Sequence, residues 1–271
     1  MSSRIKKTFK ELNLKGKSAF IPYITAGDPD IDLSQKILDS LPKSGADIIE
    51  IGMPFSDPMA DGPAIQKSSL RALDNGQDMN KTLSMVEKFR THDDSTPIVL
   101  MGYYNPILQF GIKKFLSKCS SIGIDGLIVV DLPIEHDQEL SKPAKQAGID
   151  FINFITPTTS SERLKNIIKV SSGFLYYVSI AGITGTKAPD ISELEVMVNK
   201  IKGYTDIPIA VGFGIKDSNQ VKNISKFSDA VVVGSAIVNK INDLKKKNLT
   251  DDDLVDYVIN FLLDLSDGLN I

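Results

Sequence analysis

Eight short apolar runs alternate along this chain with segments of helical period, and that alternation predicts an α/β fold closed as a (β/α)8 TIM barrel. Two further observations support it. The runs are apolar almost throughout, as expected for parallel strands covered on both faces rather than for half-wet strands. The chain of 271 residues has room for one large barrel. An open doubly wound sheet is the alternative; it would need about six strands and a topological switch point.

The strands are expected at 19–25, 47–51, 98–102, 126–131, 151–155, 175–179, 207–211 and 230–234. Between them, helical period marks 33–41, 81–90, 113–121, 138–147, 162–170, 192–201 and 218–226. Asp217-Ser218 and Thr159-Ser160-Ser161-Glu162 carry helix-start chemistry. Gly45, Gly123, Gly148, Gly173 and Gly203 stand where helices must stop before the next strand. Two pieces exceed the repeat. An N-terminal helix over 4–12 is placed to plug the barrel bottom, and the span 60–95 is long enough for two helices, 64–73 and 81–90. Linkers and low-complexity tracts are absent, so one domain over residues 1–271 is expected.

Composition narrows the function classes. A net charge of -3 argues against an electrostatic grip on nucleic acid. Cys119 is the only cysteine, which leaves no disulfide framework and no cysteine-rich metal site. His92 and His136 have no ligand-spaced neighbours and read as surface residues, and Lys245-Lys246-Lys247 reads as a solvated face. Residues 1–17 are basic without the apolar core of a secretory signal, and no run is long enough to span a bilayer. A soluble, cytoplasmic protein that binds neither membrane nor nucleic acid is the expectation.

The chemistry concentrates at 50–61. Glu50 ends an apolar run, where an ionised and unpaired carboxylate is costly. A loop stiffened by Pro54 and Pro58 then carries Asp57 and Asp61. A strand-end acid followed by a rigid acidic loop is where acid–base chemistry belongs in a barrel. Asp61 also precedes Gly62-Pro63 and an apolar helix, so helix capping is a second reading. Gly212-Phe213-Gly214 after strand seven and Gly234-Ser235 after strand eight offer backbone donors for a phosphate, with Gly182 to Gly185 after strand six adding to them. Ordinary βα turns would use the same glycines. The 182–189 loop, with two glycines, two threonines and a lysine, suits a lid or a solvated connection.

The stretch Glu50-Ile51-Gly52-Met53-Pro54-Phe55-Ser56-Asp57-Pro58-Met59-Ala60-Asp61 resembles the signature of the tryptophan synthase α subunit family. The resemblance runs through Tyr23-Ile24-Thr25-Ala26-Gly27-Asp28-Pro29, Met101-Gly102-Tyr103-Tyr104-Asn105-Pro106 and Asp131-Leu132-Pro133. It continues through Tyr176 to Gly185, Gly212-Phe213-Gly214-Ile215 and Gly234-Ser235-Ala236, and so covers essentially the whole chain.

The resemblance implies a retro-aldol cleavage of indole-3-glycerol phosphate to indole and glyceraldehyde 3-phosphate, with no cofactor in this chain and no metal. It gives Glu50 the C3 and hydroxyl protons and Asp61 the indole nitrogen. Tyr23, Ile65, Met101, Tyr103, Tyr176 and Thr184 would contact the substrate, with barrel filling or core packing as the competing role for all but Thr184. Gly185, Gly212, Phe213, Gly214, Gly234 and Ser235 would hold the phosphate. Phe55, Asp57, Pro58, Met59, Asn105 and Pro133 would face a β subunit that carries pyridoxal phosphate and receives the indole, in an α2β2 heterotetramer. Ile180 departs from the Arg that some members carry, so closure contacts made by that Arg are not expected here. A related phosphate-binding barrel enzyme would be expected to show strand-end lysines or metal-binding histidines, which are missing. A non-catalytic activator of the β subunit is the other alternative, and intact Glu50 and Asp61 argue against it.

Overall fold

The computed structural model describes residues 3–178, 191–212, 214–247 and 249–269. Eight parallel strands close in sequence order into a barrel: β1 (Ala19–Thr25), β2 (Ile49–Gly52), β3 (Ile98–Gly102), β4 (Gly126–Val129), β5 (Asp150–Ile155), β6 (Leu175–Val178), β7 (Ile209–Gly212) and β8 (Ala230–Val233). The β1–β8 register, Ala19 opposite Ala230, closes the ring. β1 and β3 lie on the expected residues. β2 and β7 begin two residues late, and Val130 and Asp131 fall outside β4.

The helices wrap the barrel as α1 (Arg4–Leu14), α2 (Ile31–Ser40), α3 (Pro63–Asp74), α4 (Met79–Phe89), α5 (Tyr104–Phe110), α6 (Ile112–Ser121), α7 (Gln138–Gln146), α8 (Ser161–Val170), α9 (Ile191–Lys202), α10 (Ser218–Ser225), α11 (Ser235–Lys245) and α12 (Asp251–Asp267). The extra helix after β2 is present as α3 beside α4. Three helices lie beyond those expected from periodicity: α5, the full length of α11, and α12. Side-chain caps start several of the others. Asp30, Asp78 and Asp217 accept from Leu33, Lys81 and Gln220 amides at 2.9, 2.8 and 2.9 Å. Among the described residues no helix is long and apolar enough to cross a membrane.

Strand periodicity divides the core. Alternate strand residues such as Ile24, Ile51 and Leu100 face the helices, while Ile21, Val99, Ile128 and Ile152 fill the barrel. Helix α1 closes the bottom as expected. Its Ile5 and Phe9 are buried in the interior cluster, with the Phe9 and Phe174 rings 5.9 Å apart. An ion cluster fixes that plug: Arg4 and Arg90 each reach an Asp125 oxygen at 2.9 Å.

The bottom rim also repeats in pairs. Asp47, Asp125 and Asp229, just before β2, β4 and β8, accept the amides of Phe20, Ile98 and Ile209 on the preceding strands at 2.8, 2.9 and 2.8 Å. Ser172, before β6, does the same for Phe151 at 2.9 Å. Each even strand thus satisfies a donor that the start of its odd neighbour would otherwise leave unpaired.

Candidate active site

The pleat of β2 turns Glu50 into the barrel mouth, opposite Tyr23 on β1 and Val99 on β3. Only 1 % of Glu50 is exposed, and its Oε2 has no hydrogen-bond partner. Burial, and then the charge of Asp61, push its pKa up to about 8. Asp61 lies in the loop between β2 and α3, half-buried, and burial raises it to about 6 against the opposing hydrogen bond from Tyr103. The repulsion registers on Glu50 because Asp61 ionises first, while Glu50 still holds its proton. At neutral pH one carboxyl is therefore an acid and its neighbour a base.

Asp61 does not cap α3. Gly62 occupies the cap position and Pro63 the first turn, and the cap lacks a side-chain hydrogen bond. The Asp61 carbonyl accepts from Gln66 Nε2 at 2.8 Å, which leaves the carboxylate for Tyr103 and the mouth. Capping is thus overturned: glycine can adopt the extended cap conformation there without a side chain.

Around the pair stand the expected aromatic groups. Tyr23 and Tyr103 are buried, and burial raises the pKa of Tyr23 and Tyr176 further than that of an exposed phenol. Tyr176 sits edge-on to Phe154 at 5.1 Å and feels the charge of Glu50. Tyr103 accepts the Ala60 amide at 3.0 Å and packs on Phe55 at 5.3 Å, so it fixes the loop that carries Asp61. Met101, on the inner face of β3, and Ile65, in the first turn of α3, are both half-buried.

The glycines divide by role. Gly212 supports Tyr176, because a Cβ there would meet the ring carbons at 2.9 Å and overlap the hydroxyl. Gly214 has φ +73°, a left-handed conformation that favours glycine. Gly234 precedes α11, whose first-turn amides lack intrahelical acceptors and whose first turn contains no acid. A cleft of about 300 Å³ borders that helix start, lined by Gly214, Lys216, Ser235, Asn239 and Lys240. Its two cations, set against one acid, Asp243, and the amides of the helix start suit an anion. Phe213, Thr184, Gly185, Ile180 and the expected lid at 182–189 lie outside the described residues.

The expected interface residues form the outer edge of the mouth. Met59 is 72 % exposed, Asp57, Asn105 and Pro133 are exposed, and Phe55 and Pro58 are half-buried. His92 and His136 are on the surface, as expected, and Lys245 pairs with Asp30 at 2.8 Å on a solvated face.

Sequence reasoning missed a polar layer under α3. Tyr23 Oη lies 3.3 Å from Thr25 Oγ1, which lies 2.7 Å from Ser68 Oγ. Asp28 and Arg71 pair in two parallel hydrogen bonds beside it. Ser68 and Arg71 lie 43 positions from Thr25 and Asp28 respectively, and no local pattern joins them.

Comparison with known proteins agrees with this fold. The profile of the family described as tryptophan synthase alpha chain matches residues 9–260. The fold superposes on tryptophan synthase subunit alpha from Legionella pneumophila str. Paris with TM-score 0.93 and 37% identity, covering 100% of this chain and 99% of that one. A protein from Aquifex aeolicus VF5 gives 0.88 and 35%, with 99% of both chains covered. Mycobacterium tuberculosis tryptophan synthase gives 0.90 and 30%, with 100% of both covered.

Proposed function

Because the chain belongs to the tryptophan synthase alpha chain family, whose members are lyases that cleave indole-3-glycerol phosphate, we propose that Glu50 and Asp61 carry the proton transfers of that cleavage. The observation behind this reading is the split pair: a buried acid held up to about 8 beside a carboxylate at about 6.

The chemistry balances on these two groups. Glu50 gives its proton to C3 of the indole while Asp61 takes the proton from the ring nitrogen, which turns the ring into an electron sink. The Glu50 carboxylate then removes the proton of the carbinol hydroxyl. The bond from C3 to that carbon breaks, its electrons flow to the ring nitrogen, and Asp61 returns the proton there. Indole and glyceraldehyde 3-phosphate leave, and both carboxyls end as they began. Burial serves the first step, since a carboxylic acid can protonate carbon only if it is still protonated at working pH.

Ile65, Met101, Tyr103 and Tyr176 are assigned to the flat faces of the indole, and Gly214, Gly234 and Ser235 to the phosphate. The family and the likeness to Mycobacterium tuberculosis tryptophan synthase support a β-subunit partner, docked on Phe55, Asp57, Pro58, Met59, Asn105 and Pro133. Pyridoxal phosphate is assigned to that partner, and α2β2 to the assembly.

Indole release by the isolated chain from indole-3-glycerol phosphate tests the assignment. Glu50→Gln and Asp61→Asn should each lose roughly 10²–10⁴-fold in kcat. Retention of activity by both variants would overturn it.

A further inference from the structure

Helix α3 is fastened to the barrel by polar groups. It lies against β1 and α11, yet the residues it buries are Ser68, Ser69 and Ala72, while half of Leu70 is exposed. Its ties to the end of β1 and the loop beyond follow the helical spacing i, i+3, i+7. Ser68 Oγ lies 2.7 Å from Thr25 Oγ1, Arg71 pairs with Asp28, and Asn75 Nδ2 donates to the Pro29 carbonyl at 2.7 Å. Ser68 spends its own proton on the Ile65 carbonyl at 2.8 Å, so at the Thr25 contact it accepts.

Such a seam fixes a helix differently from an apolar one. Apolar burial has no direction, so it tolerates a helix that slides. A helix rises about 1.5 Å per residue, and a buried hydroxyl contact does not survive a slip of that size. Asp61 inherits the position of α3. It stands just ahead of Gly62 at the cap and Pro63 in the first turn, and Gln66 Nε2 of the helix holds its carbonyl at 2.8 Å. A shift of α3 along β1 must carry Asp61 with it or break that hydrogen bond.

We propose that the buried Thr25–Ser68 contact sets the axial position of α3 and so places Asp61 for its proton transfer. Thr25 and Ser68 are positioning residues: they act on Asp61 through the helix. This inference rests on the acid–base reading of Asp61.

Thr25→Val keeps the shape of the side chain and removes the hydroxyl, and Ser68→Ala removes its partner. Each should lower kcat about tenfold, since a misplacement of about 1 Å can cost as much as about 10²-fold. Thr25→Ser should restore it. The double variant separates positioning from stability. With both hydroxyls gone neither strands the other, so the midpoint of urea unfolding should return close to that of the parent while kcat stays about tenfold low. Recovery of kcat together with stability would reduce the pair to a structural role and overturn the inference. In an Asp61→Asn background Thr25→Val should cost no further kcat, because the group it positions is already gone; a second tenfold loss there would also overturn it. Full kcat in Thr25→Val and Ser68→Ala, with Asp61→Asn impaired, would overturn the inference and leave the acid–base reading standing. A fully active Asp61→Asn enzyme would overturn both.

Discussion

Arg71 grips Asp28 through two parallel hydrogen bonds, Nε to Oδ1 at 2.7 Å and Nη2 to Oδ2 at 2.8 Å. The loop after β1 and helix α3 are thereby joined above the carboxyl pair. Asp28 is 3 % exposed, and burial raises its pKa in spite of the guanidinium. Removal of Arg71 would leave that acid without its cation. Arg71→Ala should cost about 3 kcal/mol in urea unfolding, whereas Arg71→Met with Asp28→Asn should recover most of it. Equal losses in the two proteins would show that the cost lies in the lost pair itself rather than in a stranded Asp28 carboxylate. Because α3 carries Ile65, kcat/KM should fall in Arg71→Ala beyond what the unfolded fraction explains.

The split carboxyls set a pH window. Turnover needs Asp61 ionised and Glu50 protonated in the free enzyme. The profile of kcat/KM should therefore be a bell, rising through about 6 and falling through about 8. The two limbs belong to the pair as a whole. A profile flat across that window would contradict the assignment.

The same burial acts on stability. Folded Glu50 holds its proton up to about 8, while in the unfolded chain it ionises near the ordinary glutamate value. Its contribution is fully present below that ordinary value and is lost as pH rises toward about 8. Glu50→Gln never ionises and escapes the loss. It should match the parent in acid and exceed it by about 3 kcal/mol at neutral pH, read from unfolding curves at several pH values. A constant difference across pH would refute this.

Gly212 supports Tyr176 as a platform. Gly212→Ala should displace the ring, cost about 1–3 kcal/mol of stability and raise KM for the substrate. If the glycine served the phosphate alone, inorganic phosphate binding would fall while the Tyr176 environment stayed intact. Near-ultraviolet circular dichroism separates these outcomes.

Asp57 is exposed on the loop between the two carboxyls, where it accepts a hydrogen bond from Ser56. Asp57→Ala should weaken activation by the β subunit more than it weakens phosphate binding. Equal losses would count against a communicating role for this loop.

The barrel was legible because its signals are local. Apolar runs such as 19–25 and 98–102 carry the strand period within themselves, and Asp217 or Ser160 marks a helix start at short range. Helix α5 escaped because it begins right after β3 with Asn105-Pro106, a turn-like pair. Helix α12 does carry a readable start, Thr250 followed by Asp251, Asp252 and Asp253, but it lies past the eighth repeat. Glu50 was found by its place at a strand end. The hydroxyl contacts under α3 were not, because only the folded helix α3 brings Ser68 to Thr25.

The paired rim at the barrel bottom implies that the chain is assembled in quarters. Each clamp, from Asp47 to Phe20, Asp125 to Ile98, Ser172 to Phe151 and Asp229 to Ile209, lies within one consecutive strand pair. A break in the chain between β2 and β3, or between β4 and β5, leaves every clamp inside a fragment. A break between β1 and β2, or between β3 and β4, severs one. Two-piece versions of this protein should therefore reassociate best at the even boundaries, which makes the double βα unit, rather than the single strand and helix, the modular unit of the architecture.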